Sequence, residues 1–412
     1  MLTLLLACSR HTATLPDEPE PEPTVADSVA FYASQPEMLR PFPATAVPHG
    51  LPDIEASTCG ACHVEIYNEW RISTHARAWE DDAQFMAELH KSTQPGNDVG
   101  WMCVNCHTPV TNQLPRLVAG LEDGALNKPI YVDNPLYDAD LQLEAITCAA
   151  CHVRDGVVLG PYGDTAAPHA TRKDPSLLTA EVCTQCHQAT AHFEELNLAC
   201  MFNTGAELAE SDYAEQGYRC QSCHMPEVER PLVAGMPSRP TRRHWFGGSL
   251  LPKHPDFADE LAPLAEHYPP GMVLSWSTLP EALSAETPTT VTLRYQNDNA
   301  GHRLPSGDPE RYIIVRAQAL SADGTVLAEV EERIGSVYEW YPEIKLLSDN
   351  RMAPHEARTL DLSFRPPAGA VTLSVRASRW RLTEENVAYH NLEGEVVAGA
   401  VFFEDTQTLT AQ

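Results

Sequence analysis

The chain has 412 residues, with 28 Lys and Arg against 57 Asp and Glu, so its formal net charge is −29 at pH 7. Such an acidic surface repels phosphate backbones, which argues against a nucleic-acid partner. Apolar residues make up 43% of the chain, enough for sizeable cores and too many for wholesale disorder. No apolar run of about 18 residues occurs beyond residue 8, so no membrane-spanning helix is predicted.

The N-terminal 57 residues are predicted to export and tether the protein. Residues 1–8 end in Leu4-Leu5-Leu6-Ala7-Cys8, which has the form of a bacterial lipobox behind a truncated signal peptide, with lipid on Cys8. An accidental match is the alternative, because the segment is short and lacks a basic start. Residues 9–57 include the tract Pro16-Asp-Glu-Pro-Glu-Pro-Glu-Pro23, which favours an extended tether. The Pro-rich remainder from residue 31 is expected to wrap the next domain.

Residues 58–269 are predicted to form a cytochrome domain, because ten of the 12 cysteines lie there in five copies of Cys-x-x-Cys-His. This pattern is the attachment signature of c-type haem: two thiols bond the vinyl groups of one porphyrin, and the adjacent histidine supplies the proximal iron ligand. A zinc site, a disulfide framework or a redox pair does not require that histidine in every copy. We therefore predict five covalent haem c groups. The thiols are Cys59, Cys62, Cys103, Cys106, Cys148, Cys151, Cys183, Cys186, Cys220 and Cys223, and the proximal histidines are His63, His107, His152, His187 and His224.

The spacing of the five motifs predicts how this domain is built. They begin at residues 59, 103, 148, 183 and 220, so 35 to 45 residues separate successive starts. That is too little chain for a separate core around each haem. The porphyrins themselves are therefore expected to form the core of a mainly α, loop-rich domain. Helices are predicted over Val64–His90, before Cys183 and around Ala206–Glu215.

The composition changes near residue 270, where cysteine disappears and segments of alternating apolar and polar residues begin. Turn signals such as Ala322-Asp-Gly324 separate these segments. Short strands at this spacing predict an all-β immunoglobulin-like sandwich over residues 270–412. The predicted strands are Thr289–Tyr295, Tyr312–Leu320, Thr325–Ile334, Arg358–Phe364 and Val371–Arg376.

Second axial ligands must come from the histidines outside the motifs. His75 lies 12 residues after His63, about 18 Å along a continuous helix, so we expect it to bind a different haem from the one that His63 holds. His169 lies between the third and fourth motifs and His244 after the fifth; each could reach back to an iron or lie on the surface. His302, in the loop 301–307, is either a ligand donated by the β domain or a structural residue of a turn.

The remaining histidines are weaker candidates. His49, His90 and His192 are left unresolved, and the other five are predicted to be solvated. No methionine has a clear ligand context, so mostly bis-histidine haems with low potentials are expected. The histidines predicted to be solvated are His11, His254, His267, His355 and His390.

The segment from Cys59-Gly-Ala-Cys-His63 to Trp70-Arg-Ile-Ser-Thr-His75 resembles the first haem segment of the cytochrome c-554 family of multihaem cytochromes. The resemblance implies that His75 is an axial ligand. The family namesake has four haems, whereas this chain has five motifs. The pentahaem nitrite reductases of the wider superfamily use Cys-x-x-Cys-Lys at the catalytic haem, and this sequence has no such motif. Further segments that resemble related multihaem cytochromes are Trp101–His107, Cys148–His152, Cys220–His224 and the loop 301–307.

Two functions fit these features. The favoured one is an exported electron carrier, which passes electrons between other redox proteins or quinol-linked donors through closely packed haems. The alternative is a multihaem oxidoreductase with one five-coordinate iron that acts on a small nitrogen or sulfur compound. The second motif keeps this alternative open, because no nearby histidine convincingly caps an iron there. No catalytic residue is assigned. Lipid on Cys8 would place the protein on a membrane as a periplasmic or outer-membrane lipoprotein, and the β domain is expected to cover one haem.

Overall fold

The computed structural model describes residues 22–162, 166–193 and 198–412, without the side chains of residues 191 and 198–200. Cys8 and the rest of the lipobox lie outside the described residues, as do His11 and most of the Pro/Glu tract. Within the described part, no helix is both long and apolar enough to cross a bilayer.

The described chain begins with helix α1, Val25–Ser34, where the sequence predicts an extended tether. That prediction was wrong for this stretch. Thr24 and Asp27 form a capping box at the start of the helix. Phe31 packs edge-on against Trp101, with ring centres 5.6 Å apart. The aromatic contact therefore fixes a segment that the Pro/Glu composition alone would leave extended. From Phe42 onward the chain runs along the next region, where the Thr111 amide donates to the Phe42 carbonyl at 2.9 Å.

The region that carries the five motifs is made of short helices joined by loops. The predicted helix Val64–His90 was wrong in its length: α3 ends at Trp70 and α4 starts at Ala83. The helix predicted before Cys183 begins only at Glu181 and carries the motif itself, and the one predicted around Ala206–Glu215 is two short helices, α9 and α10. The helices are α2 Ala56–Gly60, α3 Val64–Trp70, α4 Ala83–Ser92, α5 Gly100–His107, α6 Ala139–Leu143, α7 Cys148–His152, α8 Glu181–His187, α9 Thr204–Ala209, α10 Asp212–Glu215, α11 Cys220–His224 and α12 Ala258–Leu261.

Short strands, which the sequence analysis did not predict, lie between these helices. They pair as hairpins, with one parallel pairing between β6 and β7. The strands are β1 Thr93–Gln94, β2 Asn97–Asp98, β3 Arg116–Leu121, β4 Pro129–Asp133, β5 Val153–Arg154, β6 Val157–Gly160, β7 Thr171–Lys173, β8 Ala189–Phe193, β9 Leu198–Phe202, β10 Glu227–Pro231 and β11 Ser238–Arg242.

Protein side chains supply little core to this region. Its two apolar clusters contain six and five buried residues, centred on Leu141 and Trp101. Among the described residues, the C-terminal region has in contrast a cluster of 19 buried residues and a smaller one of three around Leu382. The apolar core of the motif-bearing region is thus small for its length. This agrees with the sequence prediction that porphyrins fill its interior.

The C-terminal region consists of two antiparallel sheets that share this large cluster. One sheet has the order β12-β13-β17 and the other β16-β15-β14-β18-β19. All five strands predicted for this region are confirmed, with longer ends. Strands β13 and β18 alternate buried and exposed residues, as expected for sheets with one face on a core. The elements are β12 Met272–Thr278, β13 Thr289–Asn297, β14 Tyr312–Ser321, β15 Val326–Glu339, β16 Lys345–Asp349, β17 Ala357–Phe364, β18 Gly369–Trp380, α13 Glu384–His390 and β19 Gly399–Ala411.

The two regions meet across a buried polar contact at the start of α4. Asp82, whose side chain is 2% exposed, accepts a hydrogen bond from Arg381 at 3.0 Å and forms an ion pair with Lys253. Arg381 also donates to Gln84 at 2.8 Å. Burial alone would raise the pKa of Asp82, but the charges of Lys253 and Arg381 lower it to about 2. Asp82 is therefore ionised at neutral pH and joins the motif-bearing region to the β region.

We expect this carboxylate to make stability sensitive to acid. The pKa of Asp82 is lower in the folded state than in the unfolded state. The ionised carboxylate therefore contributes its full share to the free energy of unfolding above about pH 4, about 2 kcal/mol, and this contribution is lost as the pH falls toward 2. Asp82→Asn should be less stable at pH 7 and should respond less to acid between pH 4 and 2. Chemical denaturation across this pH range measures both effects. The neighbouring Asp81→Asn is the matched control, and an equal loss in both variants would contradict the prediction.

Candidate haem sites

Each Cys-x-x-Cys-His motif lies on or beside a short helix. In α5, α7, α8 and α11 the whole motif is helical, while Cys59 lies in α2 and His63 precedes α3. A spacing of three residues puts both thiols of a motif on one face of a helix. The helices thus present each thiol pair and its histidine to the same side, as attachment to one porphyrin edge requires.

Backbone carbonyls orient four of the proximal imidazoles. The Nδ1 atoms of His63, His107 and His152 donate to the carbonyls of Leu232, Ala78 and Leu159 at 3.2, 2.6 and 2.9 Å, and His224 donates to Gly247. A carbonyl can only accept, so Nδ1 carries the proton and Nε2 keeps its lone pair. Such a bond fixes both ring orientation and tautomer at metal sites. The four imidazoles are therefore prepared to ligate through Nε2.

Three proximal histidines, His152, His187 and His224, each face a second histidine at nearly the same distance. The ring centres are 6.3 Å apart for His75–His187 and for His224–His302, and 6.2 Å apart for His152–His244. With metal–imidazole bonds of about 2.0 Å, two imidazoles on opposite sides of one metal have ring centres about 6.2 Å apart. Each pair could thus hold one iron.

Burial favours the uncharged form of five of these six histidines. It lowers the pKa of His75 to about 3 and of His187 and His244 to about 4. It also lowers the pKa of His152 and of His302. Neutral imidazole is the form that binds a metal. Sequence reasoning chose His75, His244 and His302 as candidates, and the structure brings each of them to a different motif.

His169, the fourth distal candidate, lies near the first motif. Burial lowers the pKa of His63, and the charge of His169 lowers it further, which places the two within electrostatic range. The segment that holds His169 packs on the turn at Gly50: the Ala170 amide donates to the His49 carbonyl at 2.9 Å. Gly50 has a φ of +96°, and an added Cβ would lie 2.2 Å from the carbonyl oxygen of Pro168. Only glycine fits this approach without displacing the His169 loop.

Gly50→Ala is therefore expected to destabilise the protein by about 1–3 kcal/mol and to move His169. Thermal unfolding measures the first effect, and the low-spin optical signal of the haem on the first motif measures the second. Gly160→Ala is a matched control, because it lies nearby in β6 and its added Cβ would meet no atom within 4 Å. Equal behaviour of the two variants would contradict the account of this loop.

The second motif differs from the others. The ring of Phe85 stacks on His107 with centres 3.4 Å apart and planes at 5°. Within residues 22–162, 166–193 and 198–412, no histidine ring is paired with His107 at the distance seen in the other three pairs. Burial lowers the pKa of His107 to about 4, so the imidazole is neutral. The described residues thus place no histidine opposite His107 as a candidate sixth ligand.

Glu207 of α9 fixes the loop that carries His302. Its carboxylate accepts from Ser306 Oγ at 2.7 Å and from the Arg303 amide at 3.3 Å, and it forms an ion pair with Arg351 at 2.7 Å. The Glu207 side chain is 5% exposed. A buried carboxylate of the motif-bearing region thus holds the loop of the β region in place, with His302 facing His224.

Glu69, which sequence reasoning missed, positions His244. This buried carboxylate forms two hydrogen bonds with Arg230, at 2.6 and 3.0 Å, and one with Arg243 at 2.5 Å. It also accepts from the His244 amide at 2.9 Å. The signal available in the sequence was the pair Arg242-Arg243 directly before His244, which is unusual in so acidic a chain. It indicates a buried anion nearby but does not identify Glu69.

Neighbouring motifs contact one another through their sulfur atoms. The thiols of Cys59 and Cys148, of Cys106 and Cys186, and of Cys183 and Cys220 lie close enough to shift each other's pKa, which is raised for one thiol of each pair and lowered for the other. The first motif therefore adjoins the third, the second adjoins the fourth, and the fourth adjoins the fifth.

Phe246 links two of the histidine pairs. Its ring centre lies 4.3 Å from that of His75 and 5.7 Å from that of His244. Through this ring the pair at the third motif adjoins the pair at the fourth, so all five motifs belong to one connected group.

The remaining histidines lie apart from the motifs. His49, His90 and His192 are exposed. His390 was predicted to be solvated, and that prediction was wrong: its side chain is 7% exposed and contacts Glu88 and Lys91 of α4, each at 2.9 Å. The periodicity of one chain segment cannot show that α13 packs on α4.

Comparison with known proteins agrees with the motif pattern. Residues 58–126 match the family model "Cytochrome c554 and c-prime". The fold is similar to that of a penta-heme cytochrome c552 from Thermochromatium tepidum, with a TM-score of 0.58 and 18% sequence identity over 88% of this chain and 100% of that chain. A glycosyl hydrolase family 2 member from Bacteroides cellulosilyticus matches 34% of this chain and 14% of its own, with 9% identity and a TM-score of 0.17, which is too low to support an argument. No curated protein matches the sequence.

Together the motifs, the family model and the fold support a multihaem c-type cytochrome with haem c as its cofactor. The chain has a region with the fold of a pentahaem cytochrome and a mostly β C-terminal region with several sheets.

Proposed function

We propose that the protein is an exported pentahaem cytochrome that transfers electrons between redox partners through closely packed, mostly bis-histidine haems. The observation that carries this proposal is the repeated spacing of 6.2–6.3 Å between histidine rings at the third, fourth and fifth motifs. Haem c supplies the one-electron chemistry, and the chain contributes ligation, burial and position. We further propose that the β region is an immunoglobulin-like sandwich.

The roles of the chain's residues follow from their contacts. The ten motif cysteines would attach five haems and the adjacent histidines would ligate them. His169, His244, His75 and His302 would ligate from the other side at the first, third, fourth and fifth motifs. The sulfur contacts between motifs and the ring of Phe246 support an order of first, third, fourth and fifth haem, with the second beside the fourth.

The proposal is tested by the mass and optical spectrum of the protein matured in a host that attaches haem c. We expect the mass to show five covalent haem adducts. When carbon monoxide is added to the reduced protein, the low-spin bands of four haems should stay at the same wavelengths and those of one haem should shift. Fewer than five adducts, or haem lost on denaturation, would contradict it.

A second candidate function is a multihaem oxidoreductase that acts on a small nitrogen or sulfur compound. The observation that favours it is the second motif, where no described histidine faces His107 in the way that His75, His244 and His302 face their partners. An iron held there by His107 alone would have a free coordination position. Nitrite-dependent oxidation of the reduced protein tests it: a turnover rate no greater than that of free haem would leave only the carrier.

The β region is proposed to complete the fifth haem site through His302. His302→Ala should convert that haem from six- to five-coordinate, so that the variant binds one more carbon monoxide than the wild type. His355→Ala is the control, since His355 also lies at this junction, 3.2 Å from Asp212, but faces no proximal histidine. Equal carbon monoxide binding by both variants would contradict the role of His302.

Export and membrane attachment are proposed from the sequence. Haem c is attached outside the bacterial cytoplasm, and lipid on Cys8 would hold the protein at a membrane as a periplasmic or outer-membrane lipoprotein near redox proteins or quinol-linked donors. Cys8→Ser should release the protein from the membrane fraction. A variant that stays there would contradict the anchor.

A further inference from the structure

Three cationic side chains gather where the β region meets the motif-bearing region. Lys253 comes from the loop before α12, Arg311 lies directly before β14, and Arg381 directly follows β18. Burial lowers the pKa of Lys253 and of Arg311, and the charge of Arg381 lowers both further. The three cations are thus within electrostatic range of one another in a partly desolvated junction.

The anionic partners of this cluster do not balance it. Asp82 is paired with both Lys253 and Arg381. Arg311 donates to the carbonyl of Ser306 at 3.3 Å, and no carboxylate of the described residues lies within ion-pair distance of its guanidinium. Cations in such surroundings are normally paired, because desolvating an unpaired charge is costly. Burial lowers the pKa of Arg311 and the charges of Asp308 and Asp82 raise it, but neither carboxylate forms an ion pair with its guanidinium. Among the described residues the three cations therefore share one ion-paired carboxylate, that of Asp82.

The cationic cluster lies beside the candidate haem sites. Lys253 pairs with Asp82 directly before α4, and Phe85 of that helix stacks on His107 with ring centres 3.4 Å apart. Arg311 donates to the carbonyl of Ser306, whose hydroxyl lies 2.7 Å from that of Thr204 in α9. The Ala206 amide of α9 donates at 2.7 Å to Gln188, which directly follows His187. His107 belongs to the second motif, and His75 and His187 to the pair at the fourth. The cluster is therefore close to these two sites, which adjoin each other through Cys106 and Cys186.

We propose that Lys253, Arg311 and Arg381 form an anion site, shared by the two regions, that binds carboxylate or oxyanion oxygens beside the second and fourth motifs. The inference rests on the proposed haem loading. Arginine suits this task because its planar guanidinium donates two parallel hydrogen bonds to such groups. The anion comes from one of two sources: the propionate carboxylates of the bound haems, or a small free oxyanion at the second motif.

Arg311→Gln is the variant of choice, because it removes a cation that has no carboxylate partner. Arg316→Gln is the matched control: Arg316 is exposed, lies on β14, which Arg311 directly precedes, and pairs with Glu331. Arg311→Lys keeps the positive charge but loses the paired hydrogen bonds, so its effect should lie between those of the wild type and Arg311→Gln. It also serves as the test variant if Arg311→Gln folds poorly. Haem load is measured first, and each protein is then titrated by spectroelectrochemistry in anion-free buffer and again with nitrite.

If the anion is a propionate, Arg311→Gln should favour the oxidised form of at least one haem about tenfold in anion-free buffer, about 59 mV for one electron. If it is a free oxyanion, the potentials stay unchanged in that buffer and the affinity for nitrite falls about tenfold. Either result, absent from Arg316→Gln, supports the site. Five haems with unchanged potentials and unchanged nitrite affinity would overturn it, whereas fewer than five haems in the wild type would contradict the proposed function instead.

Discussion

Replacing His75 with alanine should open the iron of the haem attached through Cys183 and Cys186, and not that of the haem on Cys59 and Cys62. The reason is that the His75 ring faces His187 at 6.3 Å, although His75 follows the first motif in the chain. We expect the variant to lose the low-spin signal of one haem and to bind one more carbon monoxide than the wild type. To identify that haem, a ligand that marks the open iron is added, and mass spectrometry of the haem-bearing peptides shows which motif carries the mark.

His90→Ala controls for the loss of an imidazole, since His90 is exposed in α4. A spectrum of His75→Ala identical to that of His90→Ala would mean that His75 does not ligate. Opening of the haem on the first motif would mean that the pairing with His187 is wrong.

The second large effect is expected from Glu69→Ala. The change leaves the guanidinium of Arg230, a residue only 4% exposed, without its main partner. Removing one member of a buried ion pair costs about 3–5 kcal/mol. The variant also loses the acceptor of the His244 amide, so the haem ligated by His152 and His244 should lose its low-spin signal before the others on heating. Thermal unfolding followed in the far ultraviolet measures the loss of stability, and the same experiment followed in the haem bands measures the loss of the low-spin signal.

Glu65→Ala is a close control for this variant. Glu65 also contacts Arg230, at 3.3 Å, but its side chain is 64% exposed. Such exposed pairs contribute about 0–1 kcal/mol. Similar destabilisation by the two variants would contradict the assignment of Glu69 as the residue that positions His244.

The haem motifs and the β strands could be predicted from the sequence because their signals are local. Cys-x-x-Cys-His is complete within five residues, and the alternation of Thr289–Tyr295 or Val371–Arg376 is visible within one strand. The helix through His75 could not be predicted correctly. The chain leaves α3 after Trp70, whose indole Nε1 donates to the Ile146 carbonyl at 2.9 Å, and such a contact with a distant residue overrides local helix propensity.

The pairing of histidines depends on the same kind of distant contact. Sequence order places His75 beside the first motif and His302 beyond all five, yet their partners are His187 and His224. The carboxylates that hold these loops, Glu69 and Glu207, have no local pattern that marks them. The candidate ligands could thus be chosen from residue type, whereas which motif each candidate faces required the fold.

The central claim is that four irons lie between two histidines each and that one, at the second motif, has a free position. Titration of the fully reduced wild-type protein with carbon monoxide, followed at the Soret band and scaled to the measured haem content, tests it most directly. The account predicts one carbon monoxide bound per five haems, with the other four haems unchanged. Saturation with no carbon monoxide bound, or with two or more per chain, would contradict it.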